Sequence, residues 1–124
     1  MGVFSITVQV GDPRAERFEP VEAVVDTGAS YTSLPVSTLH RLGVQPHARQ
    51  RFVIADGRIV ESDIAQVWIR IDGRTQMTIV VFAEEGTQPL IGAVTLEEFG
   101  LGIDPMGQKL IAVPGYRLLR KGAP

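Results

Sequence analysis

The chain of 124 residues contains no cysteine. That absence removes disulfides, thiolate metal ligands and cysteine nucleophiles together, and it leaves the redox compartment without a marker. Histidine is scarce as well: His40 and His47 are the two in the chain. They lie too far apart to make one ligand pair and no third ligand accompanies them, so no metal is expected. Neither sign of charge dominates. Twelve Lys and Arg stand against fourteen Asp and Glu, for a net charge of −2. The basic residues are scattered rather than drawn into a stripe that would neutralise a phosphate backbone, so nucleic acid is not an expected partner. No apolar run approaches the roughly 18 to 20 residues that span a bilayer, and the opening residues lack the basic-then-apolar order of a signal peptide. Met1-Gly2 begins like a myristoylation signal, but Ile6 stands where Ser or Thr is required. The expectation is a cytoplasmic protein with no membrane partner and no cofactor.

What is present reads as one domain, residues 1–124, near the commonest domain size and large enough to bury a core. Residues 3–10 are β-branched and loosely alternating, and Gly11-Asp12-Pro13 closes them with turn chemistry. Residues 17–25 form a second strand. Tyr31–Leu34 is short and extended ahead of Pro35. Pro35 then fits the first turn of a helix with Leu39 and Leu42 on its apolar edge and Gly43 as its left-handed terminus. Strand signals return at Phe52–Ile54 and at Ile59–Ile71, on either side of Asp56-Gly57, a strong hairpin pair. Asp72-Gly73 gives a second hairpin with a return strand from Met77 to Ala83.

After a polar loop, Leu90-Ile91-Gly92 is a short apolar run, Thr95 with Glu98 reads as a capping box, and Leu96 and Phe99 face a core before Gly100. Leu110–Val113 reads as a terminal strand and residues 119–124 as a fraying tail. Trp68 is assigned to packing, and the pairs Glu84-Glu85 and Glu97-Glu98 to solvated loop and helix-start charge. The predicted fold class is mostly β, a closed or folded barrel-like sheet with two short helices.

The stretch with chemistry in it is Val24-Val25-Asp26-Thr27-Gly28-Ala29-Ser30. An apolar strand runs straight into a carboxylate, and the small residues after it let the backbone turn tightly, which is how a chain delivers one acid to the floor of a cleft. A plain strand-ending turn would use the same residues.

The order of features around that stretch decides between the two. A strand, Asp-Thr-Gly-Ala, a short extended segment, a hairpin with Gly at its tip, long strands, Leu90-Ile91-Gly92 and a short helix resemble the retropepsin-like aspartic proteases from about Val3 to Val113. Ala55-Asp56-Gly57-Arg58 and Leu101-Gly102-Ile103-Asp104-Pro105 look more like the stand-alone bacterial members than the viral ones. Ser30 and Ala93 stand where viral enzymes carry a paired Asp and Arg. Losing both leaves no charge unpaired, but it removes the contact that the viral Asp makes to substrate backbone.

The resemblance implies an acid protease fold with one lobe per chain. It makes Asp26, Thr27 and Gly28 the catalytic motif, with Thr27 bonding across to its counterpart loop and Gly28 meeting substrate backbone. Ala29, Ser30, Ala55, Asp56 and Gly57 would line the substrate, Ser30 would hold the outer oxygen of Asp26, and Leu90, Ile91 and Gly92 would support the loop. Peptide hydrolysis by this route needs two carboxylates sharing a proton. The chain has one Asp-Thr-Gly, so the second Asp26 must come from another copy across a two-fold axis. The implied function is a homodimeric endopeptidase acting on peptide or protein under hairpin flaps. Two competitors remain: a catalytically silent peptide-binding dimer of the same fold, and a monomeric β domain whose Asp-Thr-Gly is coincidence.

Overall fold

The computed structural model describes residues 4–104, 106–117, 119, 120 and 122. Half of the chain is strand and a tenth is helix. The organising element is the strand β5, Ile59–Ile71, because it is long enough to have different neighbours along its length. Its outer half pairs antiparallel with β4, Ala48–Val53. Its inner half pairs with β6, Arg74–Ala83, in a register that runs from Ile64↔Val81 to Ile71↔Arg74. Burial follows the same division. Ala65, Val67, Ile69 and Ile71 are buried, whereas Ile59 in the outer half is 56% exposed.

The inner half of β5 also pairs with β1, Ser5–Gly11, through Gln9↔Arg70, Val10↔Ile69 and Gly11↔Trp68. That pairing closes a ring. From β1 the sheet runs to β2 (Phe18–Val25), β7 (Leu90–Ile91), β3 (Thr32–Pro35), β6 and β5, and so back to β1, with β4 left outside. The expected barrel-like sheet is therefore present, and the β4–β5 hairpin projects from it. Val8, Val10, Leu34, Leu39, Ile69 and Ile91 are fully buried within the ring.

Helix α1 spans Val36–Arg41. Gly43 has φ of 74° and donates to the His40 carbonyl, while Val44 donates to that of Leu39. This is a Schellman closure, as Gly43 foretold. Pro35 is one residue off the expectation: it ends β3 opposite Ala83 and caps the helix with ψ of 139° instead of lying within it. At the other predicted turn, Asp72 and Gly73 both take positive φ, 51° and 78°, the geometry of a tight two-residue hairpin.

Helix α2, Ala93–Glu98, begins earlier than the capping-box pattern implies. Gly92 is its N-cap and Thr95 is its third residue, fully buried. The physical reason is tertiary. Ala93 N–H donates to the Ala29 carbonyl and Val94 N–H to that of Ser30, so the loop after β2 satisfies the first helix amides and no side-chain cap is needed. Glu98 thus ends the helix rather than starting it.

Leu101–Asp104, not anticipated as a strand, forms β8 and pairs with β9, Lys109–Ala112, as a separate two-stranded sheet. Leu101, Ile103 and Leu110 pack against the core from it. Val3 of the expected first strand, Pro105, and Lys121, Ala123 and Pro124 of the expected fraying tail lie outside the described residues.

Candidate active site

Strand β2 carries its apolar face into the core through Val25, 3% exposed, and the next residue is Asp26. The strand cannot continue past it as sheet, because its parallel neighbour β7 is two residues long: Val24 pairs with Leu90 and Val25 with Ile91. Asp26 makes the last link, its N–H donating to the Ile91 carbonyl at 3.0 Å. The chain then turns back on itself. Ala29 N–H reaches the Asp26 carbonyl at 3.2 Å, and the Gly28 amide donates to the Asp26 carboxylate Oδ1 at 2.9 Å. The side chain is thereby half-buried and oriented, while Thr27 and Gly28 are exposed.

Gly92 explains how the loop is held from below. Its φ of −91° and ψ of 174° suit any residue, so glycine is not there for conformational freedom. A Cβ at this position would lie 2.6 Å from the Tyr31 carbonyl carbon and 2.7 Å from the Ser30 and Tyr31 carbonyl oxygens. Two backbones are in direct contact, and only hydrogen fits between them. Gly92, and Ile91 through its carbonyl on the Asp26 amide, therefore sit against the acidic loop. Ser30 contributes its carbonyl, to Val94 N–H, and the described hydrogen bond to the Asp26 carboxylate comes from Gly28.

The β4–β5 hairpin meets the loop through one aromatic pair. Tyr31 packs edge-on against Phe52 of β4, with ring centroids 5.7 Å apart, a favoured arrangement of the two quadrupoles. Beyond Phe52 the hairpin exposes apolar surface: Val53 is 72% exposed and Ile59 56%. Its tip closes on itself. Ile54 N–H donates to the Arg58 carbonyl, Gly57 N–H to that of Ile54, and Gly57 takes φ of 87°. Asp56 accepts from the Arg58 backbone amide at 2.9 Å and from its guanidinium at 2.7 Å, and those two bonds, the amide first, hold its carboxyl below the ordinary value. Ala55, Asp56 and Gly57 are exposed at this tip, with the Asp56 carboxylate committed to its own turn.

A family model described as aspartyl protease matches residues 6–95. The chain belongs to that family. It lies within the retropepsin-like clan, which points to a hydrolase, and the match takes in the acidic loop, the β4–β5 hairpin and Leu90-Ile91-Gly92. No curated protein matches the chain. In this aspartyl protease-family chain β8, β9 and the residues after them lie beyond the matched span.

On the far side of Thr27 is a groove of about 330 Å³ lined by Thr27, Ala93, Leu96, Leu101, Pro114 and Tyr116, among others. Its surface is mostly apolar, and Tyr116 lies fully exposed beside it. Among the described residues no group of three or more His, Cys, Asp or Glu is placed to hold a metal, and no helix is long and apolar enough to cross a membrane.

Sequence reasoning missed one buried arrangement. Thr32, Thr78 and Thr95, all 1% exposed or less, are joined side chain to side chain beneath Gly92. The available signal was a threonine in each of three otherwise apolar segments, which strand propensity explains equally well.

Proposed function

We propose that the protein is a homodimeric aspartic endopeptidase in which Asp26 of each subunit supplies one carboxylate. One carboxylate, ionised, takes a proton from a water molecule as it attacks the scissile carbonyl. The other, protonated, donates to the carbonyl oxygen and polarises it; the tetrahedral intermediate then collapses as a proton passes to the leaving nitrogen. Two acids this close titrate as a pair, so one stays protonated where the other ionises.

The observation that carries this reading is the held carboxylate. Asp26 is fixed by the Gly28 amide on a loop backed by Ile91 and Gly92, while Thr27 and Gly28 face outward. With a single Asp-Thr-Gly in the chain, the partner acid comes from a second copy. Thr27 then meets its symmetry mate across the two-fold axis, and the apolar groove beside it, with Tyr116, is covered by that copy. The β4–β5 hairpin serves as a flap, laying Val53 and Ile59 on an extended peptide substrate, with Ala55 to Gly57 at its leading edge. Ala29 and Ser30 line the floor.

Mixing tests the shared site. An equimolar blend of wild-type chain and Asp26→Asn, after subunit exchange, leaves half of the wild-type chains in mixed dimers, so activity per wild-type chain falls to about half. Activity per wild-type chain that is indifferent to the variant, together with activity that does not fall on dilution, would contradict a site made by two copies.

A further inference from the structure

The three buried threonines end on a carboxylate. The Gly92 amide donates to Thr32 Oγ1 at 3.1 Å, Thr32 and Thr95 hydroxyls lie 2.6 Å apart, Thr95 and Thr78 hydroxyls 2.7 Å apart, and Thr78 Oγ1 lies 2.6 Å from Glu98 Oε1. Each hydroxyl has one proton to give, and an ionised carboxylate only accepts. Thr78 must therefore spend its proton on Glu98, and its bond to Thr95 needs the Thr95 proton. The bond from Thr95 to Thr32 in turn needs the Thr32 proton. One direction is left for the whole chain: Gly92 N–H to Thr32, to Thr95, to Thr78, to Glu98. Bonds aligned head to tail polarise one another in a low-dielectric interior, so the negative end at Glu98 strengthens the acceptor that holds Gly92.

The placement of Glu98 has no local justification. It stands in the last turn of α2, which has no basic residue there, and a carboxylate at a helix C-terminus opposes the dipole. The surrounding side chains secure the helix end without needing the acid: Gln76 Nε2 donates to the Glu98 carbonyl at 2.6 Å, and Arg74 Nη1 to that of Phe99 at 3.1 Å.

We infer that Glu98 is a positioning residue for the acidic loop, fixing Gly92 through Thr78, Thr95 and Thr32 and so fixing the backbone on which Asp26 rests. Gly92 is the residue in direct contact with Ser30 and Tyr31, and its neighbours Ile91 and Ala93 bond to Asp26 and Ala29. Loosening it loosens the loop. The catalytic consequence rests on the protease reading given above; the effect on Gly92 does not.

The test is hydrogen exchange of the Gly92 amide by NMR in isotopically labelled protein, run without substrate. Glu98→Ala, at an exposed position, speeds that exchange about tenfold and shifts the Gly28 amide resonance, while amides in the β1–β5 pairing stay as protected as before. Glu98→Gln, whose side-chain oxygen can still accept from Thr78, recovers most of the protection. Thr95→Val cuts the chain midway and speeds Gly92 exchange at least as much as Glu98→Ala, and the double variant is no worse than Thr95→Val alone, since links in series fail once. In cleavage assays Glu98→Ala lowers kcat and leaves KM unchanged. Unchanged Gly92 exchange in Glu98→Ala, or additive effects in the double variant, would overturn the inference. Should the wild-type chain cut nothing, the protease reading falls, and the exchange data alone uphold or overturn the relay.

Discussion

Replacing Gly92 with alanine adds one methyl group at the point where two backbones touch. The new Cβ would sit 2.6 Å from the Tyr31 carbonyl carbon, and ordinary contact begins near 3.4 Å, so the segments must part by about 0.8 Å. Neither can yield by rotating a side chain, because every atom met belongs to backbone. Overpacking in a close-packed interior costs about 1 to 3 kcal/mol, and a purely backbone clash belongs at the upper end, about 2 to 3 kcal/mol. For a domain of this size that is a fall in Tm of about 8 to 15 °C. The same displacement stretches the bonds from Ala93 to Ala29, Val94 to Ser30 and Asp26 to Ile91, so peptide cleavage falls by more than the lost folded fraction accounts for.

The assay is urea denaturation of Gly92→Ala beside Gly86→Ala. At Gly86 nothing lies within 4 Å of an added Cβ, and the cost is that of its positive φ of 86°, about 1 to 2 kcal/mol. The damage at Gly86 is confined to stability, with Asp26 and Gly28 resonances unmoved. A Gly92→Ala protein with wild-type stability and unshifted resonances from Asp26 to Tyr31 would refute the close-contact reasoning.

Thr95→Val keeps shape and removes the central hydroxyl of a fully buried trio, leaving Thr32 and Thr78 short of partners; it should cost about 1 to 3 kcal/mol in denaturant titration, against a near-neutral result if the trio were slack. Because the Arg58 amide and guanidinium depress the Asp56 carboxyl, that group steadies the hairpin tip above its unfolded value near about 3.9 and lets go as pH falls through its lower folded value. Backbone relaxation at Gly57 and Arg58 should therefore be flat from neutrality down to about pH 4 and quicken below it, whereas in Asp56→Ala the tip is mobile throughout and pH-insensitive. Val53→Ser with Ile59→Thr removes apolar surface that the folded chain leaves exposed, so KM for an unfolded protein substrate should rise while Tm changes little; a large fall in Tm with KM unchanged would assign these residues to packing instead of to the flap.

The parts of this molecule that were legible in its sequence are those governed by local chemistry. Gly43 announces the end of α1 because a left-handed residue is needed there, and Asp72-Gly73 announces a hairpin for the same reason. The run of apolar residues into Asp26-Thr27-Gly28 locates the acidic loop at the end of β2, whereas a supporting role for Leu90-Ile91-Gly92 came from the family resemblance and not from local chemistry. What local chemistry does not govern was misjudged. Thr95 and Glu98 have the spacing of a capping box, yet the helix has already begun two residues before Thr95, its Ala93 and Val94 amides bonded to Ala29 and Ser30, residues more than sixty positions earlier in the chain. Thr32, Thr78 and Thr95 come from β3, β6 and α2, and nothing in any one segment says that three hydroxyls will meet. The short strand β8 escaped because Gly100 before it and Gly102 within it dilute the strand signal.

The central claim is that one Asp26 from each of two chains performs the hydrolysis, and cleavage of an unfolded protein from about pH 4 to 7 by wild type and by Asp26→Asn, with the association state of both followed by sedimentation, tests it most directly. Cleavage by the wild-type dimer that disappears in an Asp26→Asn protein still dimeric is the expected result. Cleavage that survives the substitution, or a wild-type dimer that binds peptides and cuts none, would contradict the claim, the second result in favour of a silent peptide-binding dimer.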